Sequence, residues 1–143
     1  MKEDTLIASV GRNKDYTHGA VNTPVYHAST LIFETVKDMK RANARLHTGG
    51  LSYGRRGNPT TYALSDAMCA LEGADGCFLY PSGLAAITGA ILSFAGSGDH
   101  ILMADGVYEP TRNLAHKILK RMGIQTTFYD PMIGAGIDEL IQE

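Results

Sequence analysis

The sequence has little excess charge. It holds 13 Lys and Arg against 15 Asp and Glu, a formal net charge of −2 at pH 7. Proteins that wrap nucleic acid or adsorb to membranes usually depend on a surplus of Lys and Arg, so this balance disfavours both functions. Its most apolar stretch, 84–92, is too short to span a bilayer, and residues 1–4 lack the apolar core of a signal peptide. We therefore expect a small-molecule partner and a cytoplasmic location.

Cysteine is also scarce. The two cysteines, Cys69 and Cys77, do not form a CxxC pair of the kind that binds zinc. One falls in a predicted helix and the other in a predicted strand, and both elements are apolar enough to be buried. We interpret them as reduced core residues and expect no metal site.

The stretch from Tyr80 to Leu92 organises the rest of the chain. An apolar segment, 77–80, predicts a short strand, and the run after Gly83 predicts a helix over 83–94 with no polar face. Both are expected to be buried. Between them, Ser82 is suited to cap the helix and Gly83 lets a ligand approach the backbone. The unpaired N–H groups at such a helix start favour an anion, phosphate above all, although an ordinary capped turn would have the same sequence.

A second informative stretch is the loop 51–61. Arg55 and Arg56 stand between Gly54 and Gly57, and the planar donor fork of arginine suits a phosphate or a carboxylate. The alternative is a basic surface loop without a ligand.

The loop leads into a predicted helix. Asn58 and Pro59 are typical of a helix N-cap and first position. The helix should run to Gly73, and its core stripe is predicted to consist of Leu64, Ala67, Met68 and Leu71.

Residues 1–50 are expected to form an arm without a core of its own. Asp4 is expected to cap a short helix over 5–10, followed by a polar stretch at 11–18 and an extended one at 21–33. Thr35 and Asp38 resemble a capping box, which predicts a helix from Val36 to about Leu46 with a stripe of Met39, Ala42 and Leu46. Four cations of this helix are interpreted as a solvated face: Lys37, Lys40, Arg41 and Arg45.

The second half of the chain alternates between predicted strands and helices. The order is strand 77–80, helix 83–94, turn 96–99, strand 100–104, helix 109–122 and strand 124–129, which indicates an α/β fold with a parallel sheet. Ligands of such sheets lie beyond the carboxyl ends of the strands, so the turns 80–83 and 104–109 should face one site.

The second of these turns contains Tyr108, which either stacks on a planar ligand or packs on its neighbours. A final amphipathic helix is predicted to begin at Ile137 and is cut short at Glu143. We therefore expect the chain to be the N-terminal portion of a longer enzyme subunit.

Taken together, the motifs resemble the Cys/Met-metabolism family of pyridoxal-phosphate enzymes over about 6–143. They are Tyr-Gly-Arg-Arg-Gly-Asn-Pro-Thr at 53–60, Leu-Glu-Gly-Ala at 71–74, Pro-Ser-Gly-Leu-Ala-Ala at 81–86, Gly-Asp-His at 98–100 and Tyr-Glu-Pro at 108–110. The resemblance implies the first part of an aspartate aminotransferase-like large domain. It also implies two regions: an N-terminal arm with an intersubunit cofactor loop over 1–58, and the start of the pyridoxal-phosphate-binding domain over 59–143.

Within the family, the first and last of these motifs resemble members that eliminate a thiol from the β-carbon of cystathionine in methionine biosynthesis. Relatives that act at the γ-carbon, or that join sulfur donors to activated homoserine, more commonly carry Tyr-Ser-Arg and Tyr-Gly-Gly-Thr at these places. They remain the alternatives.

The resemblance also implies residue roles. Gly83 and Leu84 are expected to bind the cofactor phosphate through backbone N–H groups, with Ser82 beside them. Tyr108 is expected to stack on the pyridine ring close to the substrate amine and to be catalytic.

Tyr53 and Arg55 are expected to contact the cofactor phosphate of a neighbouring subunit, with Tyr53 also near the substrate. The active site would then be shared across a dimer, within a homotetramer. Arg56 and Glu109 are expected to have supporting or interface roles.

Enzymes of this type need a lysine that holds the cofactor covalently and moves protons. None of the six lysines fits that role, and the family's lysine is expected beyond residue 143; the six are Lys2, Lys14, Lys37, Lys40, Lys117 and Lys120. The segment alone is therefore expected to be inactive. Two other classes stay open: a nucleotide-binding oxidoreductase, although no Gly-x-Gly-x-x-Gly follows a strand, and a non-catalytic oligomerisation module.

Overall fold

A computed structural model describes residues 3–45 and 50–142. The chain forms two compact units, Met1–Leu79 and Tyr80–Glu143. The helices and strands are α1 (Glu3–Ser9), α2 (Lys14–Thr17), α3 (Val36–Ala44), α4 (Pro59–Glu72), α5 (Gly83–Leu92), β1 (His100–Ala104), α6 (Glu109–Leu114, continued by a π-helical turn over Ala115–Leu119), β2 (Gln125–Tyr129) and a 3₁₀ helix (Gly134–Leu140).

In the first unit, α4 begins and ends where the sequence predicts. The Asn58 side chain accepts the N–H groups of Thr60 and Thr61, and the hydroxyl of Thr61 accepts the backbone N–H of Asn58 in return. Such a cap contributes about 1 kcal/mol. Gly73 ends the helix with a φ of 65°, in the left-handed region that favours glycine.

The predicted core stripe of α4 is wrong. Leu64, Met68 and Leu71 are exposed, whereas Pro59 and Ala63 are buried. The physical reason is that α1 and α2 pack against α4 and select a different face from the one that its largest apolar side chains form. The residues of α2 belong to the polar stretch at 11–18, for which no helix was predicted.

The extended stretch after α2 is hydrogen-bonded to the start of α4. The Thr60 hydroxyl donates to the Pro24 carbonyl over 2.8 Å and accepts the N–H of Tyr26 over 2.9 Å. Asn58 Nδ2 donates to the Tyr26 carbonyl over 3.4 Å. No helix or strand forms over 21–33, and the side chains of Asn58 and Thr60 hold this stretch instead of a neighbouring strand.

Thr35 caps α3 as predicted, but the Asp38 carboxylate bonds the Thr35 hydroxyl and not the Thr35 N–H, so the reciprocal half of a capping box is not formed. The Thr35 hydroxyl accepts the N–H of Asp38 and donates to its carboxylate, over 3.1 and 2.6 Å. None of the residues of α3 is buried, so the expected stripe with Met39 and Ala42 is not a core face. The third residue of that stripe, Leu46, lies outside the described residues.

In the second unit, β1 and β2 form a parallel pair in register from His100 opposite Gln125 to Ala104 opposite Tyr129. The bounds of β1 are as predicted, and β2 begins one residue later than expected. The connection through α6 covers one face of the pair. The buried core cluster consists of Met103, Leu114, Ala115, Leu119 and Ile124.

Two other predictions about this unit are wrong. Residues 77–80 are not a strand, and α5 has no buried residue; Phe78 is 80% exposed. Within the described residues the sheet has only two strands, so 77–80 have no pairing partner. Ile87 and Ile91 of α5 pack against the core, although no residue of this apolar helix is itself buried.

The final helix is also different from the prediction, because Gly134–Leu140 adopts the tighter 3₁₀ form. In the described ranges, every helix is too short or too polar to cross a membrane.

Candidate active site

The start of α5 has the geometry of an anion site. Ser82 is extended, with φ −160° and ψ 159°, and its hydroxyl accepts the N–H of Ala85 over 3.2 Å. Its carbonyl accepts the N–H of Ala86 over 3.0 Å. The N–H groups of Gly83 and Leu84 have no acceptor among the described residues. Two backbone donors therefore remain free at the positive end of the helix dipole.

Gly83 leaves the approach to these donors open. A Cβ built at this position would meet no atom within 4 Å. Two free N–H groups, an adjacent serine hydroxyl and open space are the donor set that a phosphate group needs. The residues present therefore fit the phosphate of pyridoxal phosphate.

Tyr108 follows the carboxyl end of β1 and precedes α6. Its carbonyl accepts the N–H groups of Thr111 and Arg112 over 2.8 and 3.2 Å, so the first turn of α6 holds its backbone. Its side chain makes no capping hydrogen bond and is 64% exposed. The ring is therefore available to a planar ligand and is not packed into the core.

The starts of α5 and α6 border one open groove of about 330 Å³. Leu84 lines it from α5, and Glu109 and Pro110 line it from α6, directly after Tyr108. Asn113 Nδ2 donates to the Glu109 carboxylate over 2.5 Å at the same groove. Leu84 and Glu109, which follow the two predicted turns, therefore line one groove, although 77–80 does not form the strand on which that expectation rested. Ser82, Gly83 and Tyr108 are not among the residues that line it.

The arginine loop belongs to the first unit. Arg55 Nε donates to the Tyr53 hydroxyl over 2.9 Å, and its guanidinium carbon lies 5.3 Å from the centre of the Tyr53 ring. Both Arg55 and Arg56 are exposed, whereas Gly54 is buried and its N–H donates to the Ser29 carbonyl over 2.7 Å. The loop thus has an anchored backbone and presents two arginines to solvent.

The two thiols are free, as predicted, but they are half-buried and not core residues. Partial loss of solvent raises the pKa of the Cys69 thiol, and the negative groups of Cys77, Asp66 and Asp75 raise it further. Because a thiol is nucleophilic only as the thiolate, Cys69 is a poor nucleophile at neutral pH. Within the described ranges, no three His, Cys, Asp or Glu side chains form a group that could hold a metal ion.

Sequence reasoning assigned no role to Arg112. Its Nη2 donates to the backbone carbonyl of Asp105 and to the Asp105 carboxylate, the latter over 2.5 Å. Its guanidinium also lies over the Phe128 ring, 4.2 Å from the centre. The only sequence signal was an acid and a base on either side of the Tyr108 turn, and they do not lie on one predicted helix or strand whose period would bring them together.

Comparison with known proteins places these features in one family. The family model for Cys/Met metabolism PLP-dependent enzymes matches residues 4–143. Cystathionine beta-lyase of Salmonella typhimurium is 48% identical over 97% of this chain and 35% of its own length. Cystathionine beta-lyase MetC of Escherichia coli is 45% identical over 99% of this chain and 36% of its own length.

Solved structures with a similar fold also come from pyridoxal-phosphate-dependent enzymes. Cystathionine gamma-lyase from Lactobacillus plantarum, complexed with L-serine, superposes with a TM-score of 0.84 at 31% identity, over 99% of this chain and 34% of that structure's chain. The chain spans about a third of the length of the curated relatives it matches. The match of the family model over nearly all residues shows that this chain belongs to the Cys/Met metabolism family of pyridoxal-phosphate-dependent enzymes.

Proposed function

We propose that this chain holds the cofactor phosphate in a pyridoxal-phosphate-dependent carbon–sulfur lyase. The whole enzyme would cleave L-cystathionine by α,β-elimination, and with water the products are homocysteine, pyruvate and ammonia. The observation that carries this proposal is the start of α5, where the N–H groups of Gly83 and Leu84 are free beside an open approach.

The residues of this chain have binding and orienting roles in the proposal. Gly83 and Leu84 donate to the phosphate, and the Ser82 hydroxyl lies beside them. The exposed Tyr108 ring stacks on the pyridine ring and fixes its plane, and the phenol exchanges a proton with the substrate amine. Pyridoxal phosphate, when bound, withdraws electrons from the substrate α-carbon so that its proton can leave.

The lysine that holds the cofactor covalently is proposed to lie outside these residues. Tyr53 and Arg55 are proposed to contact the cofactor phosphate of a neighbouring copy, so that the active sites are shared in a homodimer and the dimers pair into a tetramer. The outward direction of the two loop arginines supports such an intersubunit role. The same proposal divides the chain into an arm and loop over 1–58 and a cofactor-binding region from 59. It also includes a cytoplasmic location.

Elimination at the β-carbon is preferred over γ-elimination, γ-synthesis and homoserine sulfhydrylation. Two relatives above 40% identity are named cystathionine beta-lyase. The sequence of the loop supports the same choice, because Gly54 stands where relatives with other reactions more commonly carry serine. A Cβ at Gly54 would overlap the backbone carbonyl of Ala28, so this loop conformation requires glycine.

Product analysis of the full-length enzyme with L-cystathionine tests the proposal. Cleavage at the β-carbon gives pyruvate and homocysteine in equal amounts, whereas cleavage at the γ-carbon gives 2-oxobutyrate and cysteine. We expect the first pair, together with the visible absorbance of a lysine-linked pyridoxal cofactor. Formation of the second pair would assign the enzyme to the γ-lyases. The absence of any cofactor absorbance would favour a non-catalytic module, and a bound nicotinamide would favour an oxidoreductase.

A further inference from the structure

We propose that Arg112 is a positioning residue for Tyr108. Its guanidinium, on α6, donates hydrogen bonds to Asp105, directly after β1. These bonds fix the turn from which the Tyr108 ring projects. The inference rests on the cofactor-stacking role of Tyr108 proposed above.

The turn is held from both sides at Asp105. On the strand side, the Asp105 N–H donates to the Tyr129 carbonyl of β2 over 2.7 Å. On the helix side, Arg112 Nη2 donates to the carbonyl and to the carboxylate of Asp105. The backbone between these anchors includes Tyr108, so its course depends on both of them.

The ion pair by itself would contribute little. The side chains of Arg112 and Asp105 are 32% and 63% exposed, so solvent screens most of their mutual attraction. Orientation comes from the other two contacts: the bond to the Asp105 carbonyl and the stacking of the guanidinium on Phe128 of β2. They fix both the direction and the plane of the donor fork.

Tyr108 has no comparable anchor of its own. Among the residues that the structure describes, only its backbone is hydrogen-bonded, and one of those bonds joins its carbonyl to the N–H of Arg112 over 3.2 Å. The ring is largely exposed and makes no capping bond. The direction in which the ring projects therefore follows from the turn and from Arg112.

Arg112→Ala in the full-length enzyme gives the first test. We expect kcat for cystathionine to fall about tenfold, since small errors in the placement of a reacting group cost one to two orders of magnitude in rate. We expect the induced circular dichroism of the bound cofactor to change, while KM and cofactor retention stay close to wild type. Arg121→Ala is the matched control, because it removes a cation from the same helical segment without touching the turn, and it should change none of these values.

A double-mutant cycle separates positioning from a general loss of stability. If Arg112 acts through Tyr108, Arg112→Ala should cost no further activity in a Tyr108→Ala background. Arg112→Lys keeps the charge without the planar fork, so it should reproduce the altered dichroism while leaving the thermal midpoint near wild type. It also serves in place of the alanine variant if that variant does not fold.

Equal losses from Arg112→Ala in both backgrounds would overturn the inference, as would a wild-type dichroism signal and kcat in Arg112→Lys. A wild-type enzyme that shows neither cofactor absorbance nor lyase products would overturn the proposed function itself, and the role of Arg112 with it.

Discussion

Arg55 and Arg56 are adjacent in the sequence but have different surroundings. Arg55 is held by the hydroxyl and the ring of Tyr53, whereas the Arg56 side chain has no partner among the described residues. An arginine whose direction is fixed in advance loses less entropy when it binds a phosphate. This contrast makes Arg55 the better candidate for the phosphate contact.

Arg55→Ala in the full-length enzyme should therefore weaken cofactor retention by about 1.5–3 kcal/mol, the usual contribution of a charged hydrogen bond. Arg56→Ala, the matched control, should weaken it less. Absorbance of the bound cofactor after dialysis measures both effects. Equal losses from the two variants would exclude Arg55 as the specific contact.

Tyr108 has two separable parts, the ring and the hydroxyl. Tyr108→Phe keeps the stacking surface, so most cofactor affinity should remain, while kcat for cystathionine should fall because the hydroxyl near the substrate amine is lost. Tyr108→Ala should also loosen the cofactor. Steady-state kinetics and cofactor titration measure the two parts, and a phenylalanine variant with wild-type constants would show that the hydroxyl has no part in the reaction.

Among the elements, the arginine loop depends on the absence of a side chain at Gly54. A Cβ there would overlap the carbonyl of Ala28, and the bond from the Gly54 N–H to the adjacent Ser29 carbonyl holds the two backbones close together. Gly54→Ala should destabilise the full-length enzyme by about 1–3 kcal/mol, as overpacking of a tight site usually does.

Denaturant unfolding measures this effect, and Gly76→Ala supplies the control. A Cβ at Gly76 meets nothing within 4 Å and its φ is not in the left-handed region, so that variant should unfold like wild type. Equal stability of the two variants would mean that the loop relaxes around the added methyl group.

The elements that sequence predicts well are those fixed by local chemistry. Asn58 and Gly73 bound α4 through a cap and a left-handed residue, and Ser82 starts α5 in the same local way. The prediction of a strand at 77–80 is wrong because a strand forms only with a pairing partner, which the residues of the segment do not specify. The prediction of the buried face of α4 is wrong for a similar reason, since the packing of α1 and α2 determines which face is buried.

In the candidate site, too, the features set by local chemistry were predictable and those set by packing were not. The free N–H groups at Gly83 were predictable from Ser-Gly before an apolar helix, because helix geometry alone leaves them unpaired. The contact of Arg112 with Phe128 was not predictable, because it depends on how α6 crosses β2.

At the scale of the whole molecule, the chain exposes large apolar side chains that a stable isolated protein would cover. Phe78 is 80% and Phe94 92% exposed, and the described sheet has two strands with unpaired outer edges. Exposed apolar surface and open strand edges favour association.

Residues 1–143 expressed alone should therefore associate or aggregate, show no lysine-linked cofactor absorbance and release no thiol from cystathionine. Adding the rest of the enzyme as a separate segment should restore solubility, cofactor absorbance and thiol release. Size-exclusion chromatography with light scattering gives the first result directly. A monodisperse monomer with a sharp thermal transition would contradict this expectation, and lyase activity of the isolated segment would assign the covalent role to one of its own lysines.

Free backbone donors at the start of α5 are proposed to hold the cofactor phosphate, and Gly83→Pro tests this role with little disturbance of the fold. Proline is favoured at the first position of a helix, and the extended Ser82 before it, at ψ 159°, has the conformation that a following proline requires. The open space at Gly83 accommodates the ring. The substitution therefore removes one N–H donor, and Gly83→Ala adds a comparable Cβ while keeping that donor.

The deciding measurement is the dissociation constant of pyridoxal phosphate for these two variants of the full-length enzyme. Loss of one charge-assisted hydrogen bond predicts roughly 10- to 100-fold weaker binding by Gly83→Pro than by Gly83→Ala, at unchanged thermal stability of the cofactor-free proteins. Equal dissociation constants would show that the Gly83 N–H does not bind the phosphate, and would contradict the assignment of this helix start as the cofactor site.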